Sequence, residues 1–214
     1  MSLILSMDLS TESASICLAE NEDCLCLLTN NRQKDHASWL HTSIKQAFTD
    51  TGKNLIELDA VGLTAGPGSY TGLRVGMATA KGLCYALKIP LVLLNTLEVM
   101  ARMAVSAGTD YICPMIDARR MEVYTAVYDN EMNQLVAPCA MVLDKHSFSD
   151  YVEHHSMVFF GNGKDKFEPL LRHDRALFID LPFDASHLAR DIYAKYNRVE
   201  FADLAYVEPI YLKN

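Results

Sequence analysis

One order of elements occurs twice along this chain, and that repetition limits the fold more than any single residue does. Short apolar runs at 3–7, 15–19 and 24–28 read as three successive strands, the last two joined by the polar cluster Glu20–Asp23. A helix fits 36–50, with Leu40, Ile44, Ala47 and Phe48 on one face and Gly52 as its stop. A strand at 59–64, a helix at 71–87, a strand at 90–94 and a helix at 96–106, capped by Asn95 or Thr96, complete the first half. The second half runs through the same order. Strands fall at 111–116, 121–128 and 134–142, then a helix at 146–155, a strand at 157–160, a helix at 164–172, a strand at 176–180 and a helix at 184–196. Each half reads βββαβαβα. Three consecutive strands suggest an antiparallel meander, and the alternating remainder suggests parallel strands joined by helical crossovers. The expectation is an α/β chain of two mixed sheets, divided into an N-terminal half at 1–107 and a C-terminal half at 108–214.

The loops repeat as well. Asp8 follows the first strand of one half and Asp117 the first strand of the other. Ala65-Gly66-Pro67-Gly68 follows the fourth strand, and Gly161-Asn162-Gly163 follows its counterpart. Two such halves are the architecture of the duplicated ribonuclease-H-like, actin-like ATPase fold. There, nucleotide phosphates meet the turns after each first strand, and the nucleoside meets a glycine loop of the second half. That analogy concerns the fold and carries no activity by itself.

Composition narrows the function. Of 214 residues half are hydrophobic, which suits a packed core and excludes a wholly disordered chain. Nineteen Lys and Arg stand against 27 Asp and Glu, a net charge of −8, so the chain as a whole is a poor free-standing nucleic-acid binder. Residues 1–31 hold Asp8, Glu12, Glu20, Glu22 and Asp23 and no base, which argues against a secretory signal. No apolar run is long enough to span a membrane. The six cysteines form no CxxC pair and read as buried, reduced thiols of a cytoplasmic protein.

Several segments could carry chemistry. Asp8-Leu9-Ser10-Thr11 places a carboxylate and two hydroxyls at a strand end, suited either to a phosphate or to a locally satisfied turn. In Gly66-Pro67-Gly68-Ser69-Tyr70-Thr71-Gly72 the glycines allow close backbone approach, and Ser69 or Thr71 can cap a helix whose N-terminus attracts anions. The Gly-Lys-Ser/Thr ending of a Walker loop is missing, and a capped turn with no ligand is the competing reading. With Asp117, Gly161 and Gly163 of the second half, these residues form the candidate nucleotide cleft: Asp8, Ser10, Thr11, Gly66, Gly68 and Ser69 on one side. Gly72, Gly76, Ala80 and Cys84 recur every four residues on one face of a helix. Interior helical glycines cost about 1 kcal/mol each, so a close neighbour must offset them. A subunit interface is preferred over packing on the chain's own sheet. Arg119 either pairs with Glu122 across a turn, or it or Arg120 meets an anion. The seven histidines are scattered, with no HExxH and no defensible Ser-His-Asp order, so nothing nominates a nucleophile or a metal site.

These residues resemble a known family. Ile4-Leu5-Ser6-Met7-Asp8-Leu9-Ser10-Thr11-Glu12 matches its N-terminal strand and turn, and the run from Ala65 through Gly76 to Leu83 its most distinctive motif. Ile116-Asp117-Ala118-Arg119-Arg120-Met121-Glu122-Val123-Tyr124 and the ending Glu208-Pro209-Ile210-Tyr211-Leu212 match two more. The resemblance is to the bacterial TsaB (YeaZ) family and covers essentially the whole chain. It implies work in making the threonylcarbamoyl modification of the adenosine next to the anticodon of certain tRNAs. It also implies partners: the transferase TsaD, a catalytic paralogue using a metal held by two histidines, and the ATPase TsaE. In that paralogue the last helix of the first half opens Asn-His-Leu-Glu-Gly-His. Here the same place reads Asn95-Thr96-Leu97-Glu98-Val99-Met100, so Thr96 and Met100 replace both ligands. The resemblance thus implies a non-catalytic scaffold or activator that pairs with TsaD, or with itself as a homodimer, and meets tRNA through the complex. Weak ATP or ADP binding at most is expected, with no resident metal. The competing reading is an independent actin-like ATPase or a glycoprotease-like metallopeptidase.

Overall fold

The computed structural model describes residues 1–31 and 35–213. Its strands are β1 (Leu3–Asp8), β2 (Ala14–Glu20), β3 (Asp23–Asn30), β4 (Ala60–Thr64), β5 (Leu91–Leu94), β6 (Tyr111–Asp117), β7 (Glu122–Asp129), β8 (Gln134–Val142), β9 (Met157–Phe160) and β10 (Ala176–Phe178). Its α-helices are α1 (His36–Thr51), α2 (Tyr70–Leu87), α3 (Thr96–Met103), α4 (Ser149–Val152), α5 (Lys164–Phe167) and α6 (Ala189–Asn197). The chain divides into two compact units. The first is Met1–Thr96 with Asp184–Ile210. The second is Leu97–Phe183 with the chain end from Tyr211.

The first unit is built on a sheet ordered β3-β2-β1-β4-β5. β1 and β3 run antiparallel to β2, while β4 is parallel to both β1 and β5. β1, β2 and β4 are covered on both faces, which is why they read as unbroken apolar runs. β3 is an edge strand with exposed and half-buried positions. One face is covered by α1 and α2: Leu40, Ile44, Ala47, Phe48, Met77, Ala80 and Cys84 pack with Leu3, Leu5, Met7 and Leu63. The other is covered by the 3₁₀ turn Ala185–Leu188 and by α6. Ala185 and Ala189 pack with Cys17 and Ala19, and Ile192 lies so close over Gly62 that a side chain there would collide with it.

The second unit has the same wiring, β10-β9-β6-β7-β8, with β6 antiparallel to β7 and parallel to β9. The duplication expected from the element order is therefore present in strand order and direction alike. One face carries an aromatic cluster in which Phe159 meets Phe167 at 5.1 Å and Phe148 at 5.5 Å between ring centroids. The other carries α3, whose Leu97, Met100 and Ala101, with Ala104 just after it, pack with Ile112, Ile116, Ala126, Val158 and Phe160.

The units depart from the expected linear division at 107/108. The third helix of the first half, α3, covers the second sheet, and the last helix of the chain, α6, covers the first. Four helices, α3 to α6, are shorter than their periodicity suggested. Asp144 accepts hydrogen bonds from the His146 amide and the Ser147 hydroxyl, and Phe148 takes a left-handed φ of 62°, so α4 begins only at Ser149. α5 ends at Phe167 where 164–172 was expected. The cysteines are mixed in exposure: Cys17, Cys84 and Cys113 are buried, Cys24 is exposed, and those described are free thiols.

Candidate functional site

In the first unit the structure brings the β1 turn and the glycine loop into direct contact. Asp8 ends β1, fully buried. Its Oδ1 accepts hydrogen bonds from the Ser10 hydroxyl at 2.6 Å, the Ser10 amide at 3.3 Å and the Thr64 hydroxyl at 2.5 Å. Its Oδ2 is buried without a hydrogen-bond partner among the described residues. Burial pushes the Asp8 carboxyl above the ordinary carboxylate range, partly opposed by the three hydrogen bonds. Asp184 adds to the rise through space. Its own carboxyl is held down to about 2, first by the hydrogen bond from His187 and then by those from Ser186.

The Ser69 amide donates to the Ser10 carbonyl at 2.7 Å, and Ser69 Oγ caps α2 by accepting from the Gly72 amide at 3.3 Å. A Cβ at Gly68 would strike the Ser10 carbonyl, and one at Gly72 the Leu9 carbonyl. The glycines thus let two stretches of backbone touch. The chain end closes the loop from outside: the Ile210 amide donates to the Ala65 carbonyl at 2.7 Å, and the Ile210 carbonyl would block any side chain at Gly66. Thr11 stands aside, its hydroxyl donating to the Ser13 carbonyl. The Ser10, Ser69 and Gly72 amides donate inside the protein, to the Asp8 carboxylate, the Ser10 carbonyl and the Ser69 hydroxyl.

In the second unit Asp117, Gly161 and Gly163 also come together. The Asp117 amide donates to Asn162 Oδ1 at 2.9 Å. Its carboxylate accepts from the Arg119 amide at 2.5 Å and pairs with the Lys166 ammonium at 2.6 Å. Gly161, with φ 92°, lies against the Met115 carbonyl, and Gly163 donates its amide to that carbonyl at 3.0 Å. Here too the loop is closed by its own groups.

The stripe on α2 needs correction. Gly72, Gly76, Ala80 and Cys84 face inward. A Cβ at Gly76 would lie 3.0 Å from a Leu63 methyl and 3.2 Å from a Leu9 methyl, and Ala80 and Cys84 belong to the core under β1 and β4. The close neighbour that offsets the glycines is the chain's own sheet. The outer side of α2 carries Ala78, Gly82 and Tyr85, with Ala78 and Tyr85 exposed and open space around Gly82.

Thr96 and Met100 lie one turn apart on α3. Met100 is buried among Leu97, Ile116 and Phe160, its terminal methyl 2.7 Å from where a Gly161 Cβ would stand. The Thr96 hydroxyl is buried with no hydrogen-bond partner among the described residues. A thioether packed in an apolar core and a neutral hydroxyl do not fit a hard or borderline divalent ion. Among the described residues no group of three His, Cys, Asp or Glu side chains could hold a metal.

Sequence reasoning missed Thr64, Asn162, Lys166 and Asp184. Thr64 follows Leu63, which pairs with Met7 across parallel strands, so its approach to Asp8 is readable only once β1 and β4 are known to be neighbours.

A family model described as tRNA N6-adenosine threonylcarbamoyltransferase, TsaD, matches residues 28–214. The chain belongs to the TsaD family. Within it, this TsaD-family chain is 31% identical over 131 residues to the tRNA threonylcarbamoyladenosine biosynthesis protein TsaB of Escherichia coli (strain K12), covering 61% of this chain and 56% of that protein. The TsaB of Bacillus subtilis (strain 168) is 30% identical over 63% of this chain and 59% of its own length. The chain therefore spans a little over half the length of the curated relatives it matches. A solved Pseudomonas aeruginosa protein, described as uncharacterized with similarity to peptidase YEAZ, superposes with a TM-score of 0.85 at 25% identity, over 100% of both chains. The fold is the duplicated ribonuclease-H-like, actin-like ATPase fold, and the likeness is to its TsaB and YeaZ members. Among the described residues no helix is long and apolar enough to cross a membrane.

Proposed function

We propose that this chain is a non-catalytic scaffold and activator in the cytoplasmic complex that installs the threonylcarbamoyl group on tRNA. It pairs with a TsaD-like transferase and works beside a TsaE-like ATPase. The observation that carries the reading is Met100. At a position where the resemblance implies a metal-binding imidazole, the chain buries a thioether in the apolar core of its second unit. The likeness to proteins named for threonylcarbamoyladenosine biosynthesis supplies the pathway. Nucleotide binding is weak or nil in this reading, which the internally spent amides of Ser10, Ser69 and Gly72 support. The partner rests on the outer side of α2, where Ala78 and Gly82 leave room for another backbone and Tyr85 is 81% exposed.

Reconstitution tests it. TsaD and TsaE are incubated with tRNA, threonine, bicarbonate, ATP and the enzyme that makes the threonylcarbamoyl adenylate, with and without this chain. Modified nucleoside is expected only when the chain is present together with TsaD. Modification by the chain without TsaD, or equal yield in its absence, overturns the proposal.

A further inference from the structure

The turn joining β6 to β7 holds two consecutive arginines in left-handed backbone, Arg119 at φ 68° and Arg120 at φ 51°. The Ala118 amide donates to the Glu122 carbonyl and the Glu122 amide to the Arg119 carbonyl, both at 3.1 Å, so the turn is tight and closed. Asn and Gly adopt left-handed backbone at little cost, whereas an arginine in that conformation is unfavourable. Both side chains are exposed, and among the described residues neither guanidinium has a hydrogen bond or an ion pair. Among the described residues no side-chain partner of either arginine offsets the strain.

The surrounding charges cancel around them. Asp117 is paired with Lys166, and Glu122 is paired with Lys213. Lys166 also donates to the Glu122 carbonyl at 3.3 Å, and Lys213 to the Ala118 carbonyl at 3.1 Å. Two carboxylates and two ammonium groups therefore brace the base of the hairpin and sum to zero. The two guanidiniums stand uncompensated at its tip, on a chain whose net charge is −8.

We propose that the Arg119-Arg120 tip is a contact of this chain with RNA phosphates. A guanidinium fork matches phosphate oxygens two at a time, and two adjacent forks on a braced turn match a sugar-phosphate backbone. The choice of RNA rests on the function proposed above, in which the complex works on tRNA. Because the chain carries a net negative charge, the contact positions RNA and does not bind it tightly.

The test replaces Arg119→Asn together with Arg120→Gly. This pair suits the turn better than the native residues, so the fold is retained and a thermal melt shows an unchanged or raised midpoint. Arg119→Lys with Arg120→Lys keeps the charge and loses the forks. Binding of fluorescent unmodified tRNA is measured by anisotropy across a potassium chloride series, for the full chain alone and for its complex with TsaD. The Asn-Gly variant is expected to bind about tenfold more weakly at low salt. Its salt slope should be smaller by about 1 to 2, as for the loss of two phosphate contacts. The lysine variant is expected between the two. Wild-type affinity and slope in the Asn-Gly variant overturn the proposal. So does competition by polyaspartate as effective as that by RNA, which would make the tip a site for an acidic protein. If the chain and TsaD do not associate, the function proposed above falls, and the contact is decided by the same comparison on the chain alone.

Discussion

Asp8 has one oxygen with three donors and, among the described residues, one with none, and burial of the whole group sets how it titrates. Burial raises its pKa above the ordinary value of 3.8. The folded state therefore binds the proton more tightly than the unfolded chain does. Stability from this group is full below the unfolded pKa and is lost as pH rises through the folded one. Each tenfold preference of the folded state for the proton is worth about 1.4 kcal/mol. Asp8→Asn keeps an acceptor toward Ser10 and Thr64 and cannot ionise. Its stability relative to wild type is expected to rise between pH 4 and pH 7, read as the difference of two urea-denaturation series. A constant difference across that range would show that Asp8 ionises normally. The sequence placed Asp8 at a strand end beside Ser10 and Thr11. It could not show that Ser10 and Thr64 already saturate one of the carboxylate's oxygens, because that depends on which strand lies beside β1.

At the scale of elements, strands were easier to read than the directions helices face. Unbroken apolar runs marked β1, β2 and β4 because both faces of that sheet are covered. The stripe on α2 was visible, but spacing of four residues is the same whether small residues meet a sheet beneath or a partner outside. Leu9 and Leu63 decide it, and neither lies in the helix. Two substitutions separate the sides of α2. Gly76→Leu is expected to destabilise by at least ~1–3 kcal/mol, since the space is already filled. Gly82→Ala is expected to stabilise by about 1 kcal/mol, since it improves helix propensity in open space. Guanidinium denaturation of both variants checks this, and an unaffected Gly76→Leu would return the stripe to the surface. The over-long reading of α4 has a similar origin. Periodicity continued through 146–148, but the left-handed backbone of Phe148 interrupts the helical path there, and spacing of side chains does not report it.

For the molecule as a whole, the repeated order revealed two like halves and could not reveal which sheet each last helix covers. An apolar helix face states that it must be buried and says nothing about where. Ile192 over Gly62 and Met100 against Gly161 answer that question for α6 and α3. Truncation to residues 1–183 removes the cover from one face of the first sheet, exposing Cys17, Ala19 and the surface around Gly62. The truncated chain is expected to lose the cooperative melt of the first unit and to bind the dye ANS, measured by circular dichroism and fluorescence. A melt indistinguishable from full length would mean that α6 contributes little.

That arrangement also orders events during synthesis. A nascent chain leaves the ribosome from its N-terminus, so the five strands of the first sheet emerge long before Ala185–Asn197, which must cover them. Until the last stretch is released, one apolar face of the oldest part of the chain stays open, while the sheet made later already has α3 in hand. The part translated first is the part finished last, and in the cell that interval is when a trigger-type chaperone has most to hold.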